Sequence, residues 1–265
     1  MANLKDIQRK IKSVSNTQKT TRAMKLVSTA KLRRAEELAK RSRLFAEKTN
    51  QVIQQIASQI ECYKSGGIEN RCFAQIDEPK MVDIIFVTAD KGLCGGGIEF
   101  FNYNEIEMLD TVIGLSSAPD MERSSEFIEK SINDYKDGKI DGVYIVYNGY
   151  KNMITQELHV NRILPVDTTD YECGDNNQKS MLEVEAEDQE KMLDSLMNKY
   201  VEYNMYYALI DSVAAEHSAR MQAMDSATNN AKEMVKSLNV QYNKARQEAI
   251  TTELIEIISG VESMK

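Results

Sequence analysis

Seventeen positions between Leu193 and Ala249 follow one another in steps of three and four without a slip: Leu193, Leu196, Tyr200, Tyr203, Tyr207, Ile210, Ala214, His217, Met221, Met224, Thr228, Ala231, Val235, Leu238, Tyr242, Ala245 and Ala249. This is a heptad seam, and it calls for a helix that lies along another helix. From Asp175 to Ser259 there is neither glycine nor proline, so no backbone feature interrupts it. At 1.5 Å per residue, the stretch from Glu190 to Ser259 makes a rod of roughly 105 Å. The seam starts with Leu, Tyr and Ile and turns small or polar at Ala214, His217, Thr228 and Ala231, which lets two helices approach closely. After Ala249 the next seam positions fall on Thr252 and Glu256, while Ile250, Leu254, Ile257 and Val261 occupy a different face. The last turns are therefore expected to stand apart from the partner helix and to meet a surrounding surface.

The partner is expected at the other end of the chain. Leu4, Ile7, Ile11 and Val14 open a three-four seam behind a capping-box spacing of Asn3 and Asp6. The run NTQKTT from Asn16 makes it polar, and Met24, Val27, Ala35, Leu38, Phe45, Ile53, Ile56 and Ile60 resume it in a drifted phase. This helix is expected from Asn3 to about Glu61, with Gly66 and Gly67 ending it. All three prolines, Pro79, Pro119 and Pro165, lie between the two helical ends. The fold expected is a long antiparallel coiled coil of the N- and C-terminal helices with a small inserted Rossmann-like α/β domain: residues 1–62, 63–189 and 190–265. Within the insert, 81–89, 143–147 and 157–164 read as strands and 98–109 and 124–135 as helices, and the acidic stretch 172–189 reads as a loop.

The net charge of −8 is segregated. Residues 1–62 hold fourteen Lys and Arg against five Asp and Glu, 63–186 hold eleven against twenty-three, and 187–265 hold eight against thirteen. A basic helix beside acidic partners follows, either within the chain or on a neighbouring protein or nucleic acid. Cys62, Cys72, Cys94 and Cys173 have no metal-like spacing and, without a signal peptide, suit a reducing cytosol. No apolar run has the ~18 residues that span a bilayer, so membrane association goes through partners.

Catalytic chemistry finds little support. The loop from Asp90 to Gly97 (DKGLCGGG) follows a strand and precedes a helix, where phosphate loops lie, but matches neither GxGxxG nor GxxxxGK[ST]; a tight turn accounts for it. Cys94 has only two histidines to serve it, His159 in a strand and His217 on the seam. No catalytic, cofactor or metal site is expected.

Three stretches resemble the gamma subunit of F-type ATP synthases: IQRKIKSVSNTQKTTRAMKLVSTAKLRRAEE from Ile7, the loop DKGLCGG, and YNKARQEAITTELIEIISG from Tyr242. They fall in the order that family has. The segment from Leu109 to Pro119 is short for the family's α/β domain, which is expected to have lost a strand and a helix. The resemblance implies a non-catalytic central-stalk rotor that turns inside a ring of alpha and beta subunits, with a foot on the membrane c ring beside the epsilon subunit. It implies a peripheral position at the cytoplasmic face of a bacterial inner membrane. By position it implies catalytic-ring contacts at Met24, Lys25, Arg220, Arg246, Gln247, Thr251 and Glu253. Foot contacts to the c ring and epsilon are implied at Lys31, Arg33, Arg34, Arg41, Tyr203, Met205 and Tyr207. The residues alone leave open a free-standing coiled-coil tether or adaptor, or a small nucleotide-binding α/β enzyme.

Overall fold

The computed structural model describes residues 4–63, 71–73, 76, 78–89, 96–166 and 186–264. In chain order the elements are α1 (Leu4–Tyr63), β1 (Val82–Phe86), α2 (Gly96–Tyr103), α3 (Met121–Lys136), β2 (Gly142–Tyr150), β3 (Gln156–Leu164) and α4 (Ala186–Glu262). They fall into two compact units, one of Met1–Ala30 with Ser218–Lys265 and one of Lys31–His217.

In the first unit the two helices pair along a seam. On α4 the seam positions Met221, Met224, Thr228, Ala231, Val235, Leu238, Tyr242, Ala245 and Ala249 are all buried or half-buried. On α1 the covered positions are Leu4, Ile7, Ile11, Val14, Gln18, Thr21, Lys25 and Ser28, again in steps of three and four. The Thr21 and Thr228 hydroxyls lie 2.8 Å apart, and Lys25 meets Asp225, so one helix ascends as the other descends. This corrects the expected phase drift of α1. The heptad continues straight through the polar run and on through Leu32, Ala35, Ala39, Ser42 and Ala46, while Met24, Val27, Leu38 and Phe45 are exposed. Continuing the register places Leu4 opposite about residue 245. Every described residue from Ile250 to Met264 is exposed.

In the second unit a three-stranded sheet has the order β1-β2-β3, with β1 parallel and β3 antiparallel to β2. The parallel pair needs a crossover, and α3 lies within it. Asp120 caps α3 by accepting from the Arg123 N–H at 3.0 Å, and Gly138, at φ 77°, takes the left-handed conformation just beyond its end. The Asn152 side chain accepts from the Ile154 and Thr155 N–H groups, both at 2.8 Å, and turns β2 into β3.

One face of the sheet, with Ile85, Val143, Ile145 and Tyr147, joins Ile128, Ile132 and Tyr135 of α3 in the core. Helix α4 adds Met197, Val201, Met205, Ala208 and Leu209 to that core, and α1 adds Ile53. Here α4 is covered on two faces, its seam and a second row four residues apart, which the heptad alone did not reveal. The other face of the sheet leaves Ile84, Phe86, Leu158 and Val160 exposed.

Several element bounds differ from expectation: α3 begins at Met121 and not Ser124, and β2 runs on to Tyr150 and not Tyr147. Helix α2 stops at Tyr103 instead of Leu109, where Glu105 adopts φ 54° and the Ile106 N–H closes on the Phe101 carbonyl at 3.0 Å. Strand β1 ends at Phe86, short of Ala89. Helix α4 begins at Ala186, so residues 186–189 are helical and not loop. Asn3, Gly66, Gly67, Cys94, Cys173 and the loop from Asp90 to Gly95 lie outside the described residues.

Candidate functional site

Two surfaces gather the residues singled out above, one on each unit. On the first unit, Met24 is 45% and Val27 58% exposed, and they project from α1 just outside the seam. Lys25, the next residue along from Met24, turns the other way. Its ammonium Nζ lies 2.6 Å from Oδ1 of Asp225 on α4, with both side chains part-exposed. One turn back, the Thr21 and Thr228 hydroxyls meet, and each also reaches a carbonyl of its own helix, Gln18 at 3.1 Å and Met224 at 2.6 Å. These four side chains form a polar rung across the seam, with Met221 and Met224 half-buried beside it on α4.

Beyond the seam, Ile250, Leu254, Ile255, Ile257, Ile258 and Val261 give the end of α4 an exposed apolar surface, Ile257 reaching 66%. A contiguous exposed apolar surface of this kind is a candidate interaction surface. Arg246, Gln247, Thr251 and Glu253 are exposed on the same stretch, and Arg220 is half-buried. The Thr251 hydroxyl donates to the Gln247 carbonyl at 2.9 Å, so its proton is engaged within the helix.

On the second unit, Lys31, Arg33, Arg34 and Arg41 are exposed along α1. Lys40 and Arg43 pair within the helix with Glu36 and Glu47, each at 2.9 Å, which mutes their charge. An aromatic group rises beside this basic surface. The Phe45 ring lies 4.4 Å from that of Tyr203, Tyr203 lies 6.2 Å from Tyr206, and the Tyr203 hydroxyl donates to the Ser42 carbonyl at 3.2 Å. Tyr207 is half-buried; burial, with the Asp211 carboxylate nearby, pushes its phenol up to about 12 against the pull of Arg43.

Met205 is removed from this surface: at 2% exposure it belongs to the core shared with the sheet. It lies in the second covered row of α4, a row that periodicity on one seam could not separate from a surface position. Sequence reading placed Thr228 on the seam that meets α1 but missed Asp225 as a partner of Lys25. The only signal was that two polar residues, Thr21 and Lys25, continue the heptad of Leu4, Ile7, Ile11 and Val14 in step.

Cys72 is buried, and burial pushes its thiol up to about 11, far from a reactive thiolate. His159 stacks near Tyr147 at 5.2 Å, and His217 is buried. Among the described residues there is no group of His, Cys, Asp and Glu that could hold a metal ion, and no helix long and apolar enough to cross a membrane.

A family model described as ATP synthase matches residues 3–98 and 97–264. The ATP synthase gamma chain of Sulfurimonas denitrificans is 71% identical, with all of both chains covered. A chain in the Euglena gracilis mitochondrial ATP synthase structure is 16% identical with a TM-score of 0.60, covering 98% of this chain and 94% of that one. One in the Tetrahymena thermophila mitochondrial ATP synthase structure of the central stalk and c-ring is 21% identical with a TM-score of 0.53, covering 79% and 99%. At these identities the two structures speak for the fold.

The comparison also relocates the shortening of the α/β domain. The Sulfurimonas alignment runs over 296 positions against 265 residues, 31 more than the chain supplies. The two matched segments of the family model meet at residues 97–98, which places the discontinuity after β1 and not at 109–119.

Proposed function

Because the chain belongs to the ATP synthase gamma-chain family, we propose that it works as the central-stalk rotor of a rotary ATP synthase and is itself non-catalytic. The observation that carries this reading is the first unit, two antiparallel helices held by a narrow seam, one of which continues alone into an apolar tip. A shaft of this construction suits a sleeve of alpha and beta subunits. Its two helices differ in sequence and its tip is a single helix, so it offers a different surface to each of three otherwise equivalent sites. Differences in contact free energy then bias the nucleotide affinities of those sites as the shaft turns.

In this reading Met24, Arg220, Arg246, Gln247, Thr251 and Glu253 face the ring. The exposed Lys31, Arg33, Arg34 and Arg41, with Tyr203 and Tyr207 beside them, form the foot against the c ring and the epsilon subunit. Residues 1–62 and the helix from Ala186 serve as the shaft, and the sheet with α2 and α3 serves as a collar domain. The chain sits peripherally at the cytoplasmic face of the inner membrane and reaches it through the c ring. Reactions occur on the beta subunits, and this chain holds no cofactor.

Extraction of membranes at low ionic strength, followed by affinity capture of this chain, tests the assignment. Recovery with large ATP-binding subunits, and no ATP hydrolysis by the isolated chain, is the expected result. Hydrolysis by the isolated chain, or capture without those subunits, would overturn it.

A further inference from the structure

Lys25 belongs to the α1 seam, yet its charge is satisfied from the opposite helix. Nζ of Lys25 and Oδ1 of Asp225 are 2.6 Å apart, with the side chains 37% and 47% exposed. A lysine stem has four rotatable methylenes and in the absence of a partner carries its ammonium into solvent. The carboxylate instead draws it across the seam. One turn away, the 2.8 Å approach of Thr21 and Thr228 fixes the same pair of helices at the same level. Around this rung the α1 seam consists of Gln18 and Ser28, which supply little apolar area to set the rotation of the helix about its own axis. Polar side chains at seam positions specify geometry in helix pairs of this kind.

We propose that Asp225 is a positioning residue: by holding the Lys25 ammonium across the seam it pins this turn of α1 against α4 and so fixes the direction in which Met24 and Val27 face the surrounding subunits. The proposal rests on the rotor reading for its consequence and replaces Lys25 as a direct ring contact.

The test has two arms. In the assembled complex, Lys25→Met and Asp225→Asn are each expected to lower ATP turnover measurably, by about twofold or more. The exchange Lys25→Asp with Asp225→Lys is expected to restore turnover to within about twofold of the starting protein, because the pair is remade with its ends reversed. If Lys25 meets the ring directly, Asp225→Asn leaves turnover unchanged and the exchange fails to restore it; either result overturns the proposal.

The second arm uses the isolated full chain. Brief acetylation read by mass spectrometry is expected to modify Lys25 several-fold faster in Asp225→Asn, with exposed Lys31 unchanged as the internal reference. Equal rates at Lys25 overturn the pairing. Should the unaltered chain support no turnover in the complex, the rotor reading falls while the acetylation arm still decides the pair.

Discussion

A Cβ on Gly149 of β2 would stand 2.8 Å from Oδ2 of Asp211 on α4, so the absence of a side chain at Gly149 is what admits that carboxylate. The same Cβ would meet the His159 ring of β3, and the Tyr150 N–H donates to Asp211. Strand, hairpin and long helix thus converge on one buried point of the second unit. Gly149→Ala is expected to destabilise the chain by about 1–3 kcal/mol, because the added Cβ would overlap the His159 ring and the buried Asp211 carboxylate and force both to shift. Urea denaturation followed by circular dichroism measures it, and an unchanged midpoint would show that the site yields freely.

Asp211 also carries a pH signature. Burial raises its pKa in the folded chain, only partly opposed by the Tyr150 N–H, His159 and Arg43. The folded state therefore binds the proton more tightly than the unfolded state. That contribution to stability is fully present below the unfolded pKa and is lost as the pH rises through the folded one. Asp211→Asn keeps an acceptor for the Tyr150 N–H and removes the buried charge. The variant is expected to match or exceed the unaltered chain at pH 7, and its advantage should shrink as the pH falls toward the carboxylate range. Urea midpoints across that series check the sign, and an advantage that grows on acidification would reverse it.

The phase of α1 is testable with one residue type. Leu32 is 1% exposed on the seam, whereas Leu38 is exposed on the same helix. Leu32→Ala is expected to cost about 2–4 kcal/mol through lost burial and the cavity left behind. Leu38→Ala should change stability by less than about 0.5 kcal/mol. Equal losses would restore the drifted seam.

That contrast shows where sequence reading succeeds and where it stops. On α4 the seam from Met221 to Ala249 is legible because its positions are covered at the spacing that the apolar and small residues trace. On α1 the largest apolar side chains, Met24, Val27, Leu38 and Phe45, point outward, and the phase is kept by Gln18, Thr21, Lys25, Ser28, Ala39 and Ser42. Hydrophobicity identifies a seam only where burial is its main use; in a shaft whose outer face also meets proteins, the large residues are shared between two surfaces. Strands β1 and β2 were legible from the apolar runs IIF and VYIVY. Met205 and the Lys25–Asp225 tie were not, since each depends on which helix face meets which neighbour, and that is a property of the assembled fold.

Arg246 and Gln247 are exposed, so replacing both by alanine is expected to leave stability within about 0.5 kcal/mol. In the assembled complex the double variant should lower ATP turnover, because these side chains stand at the level where α4 passes the first residues of α1. Steady-state ATPase assays of the purified complex, with the melting curve of the isolated chain as control, measure both effects. Unchanged turnover would remove the two residues from the ring contact.

The rotor claim itself is tested most directly by watching the chain turn. With a probe attached through an engineered cysteine at exposed Glu129 on α3, and the alpha and beta subunits fixed to a surface, added ATP should drive one-way rotation of the probe in discrete steps. Sustained ATP hydrolysis by the same complexes with the chain stationary against the ring would contradict the account.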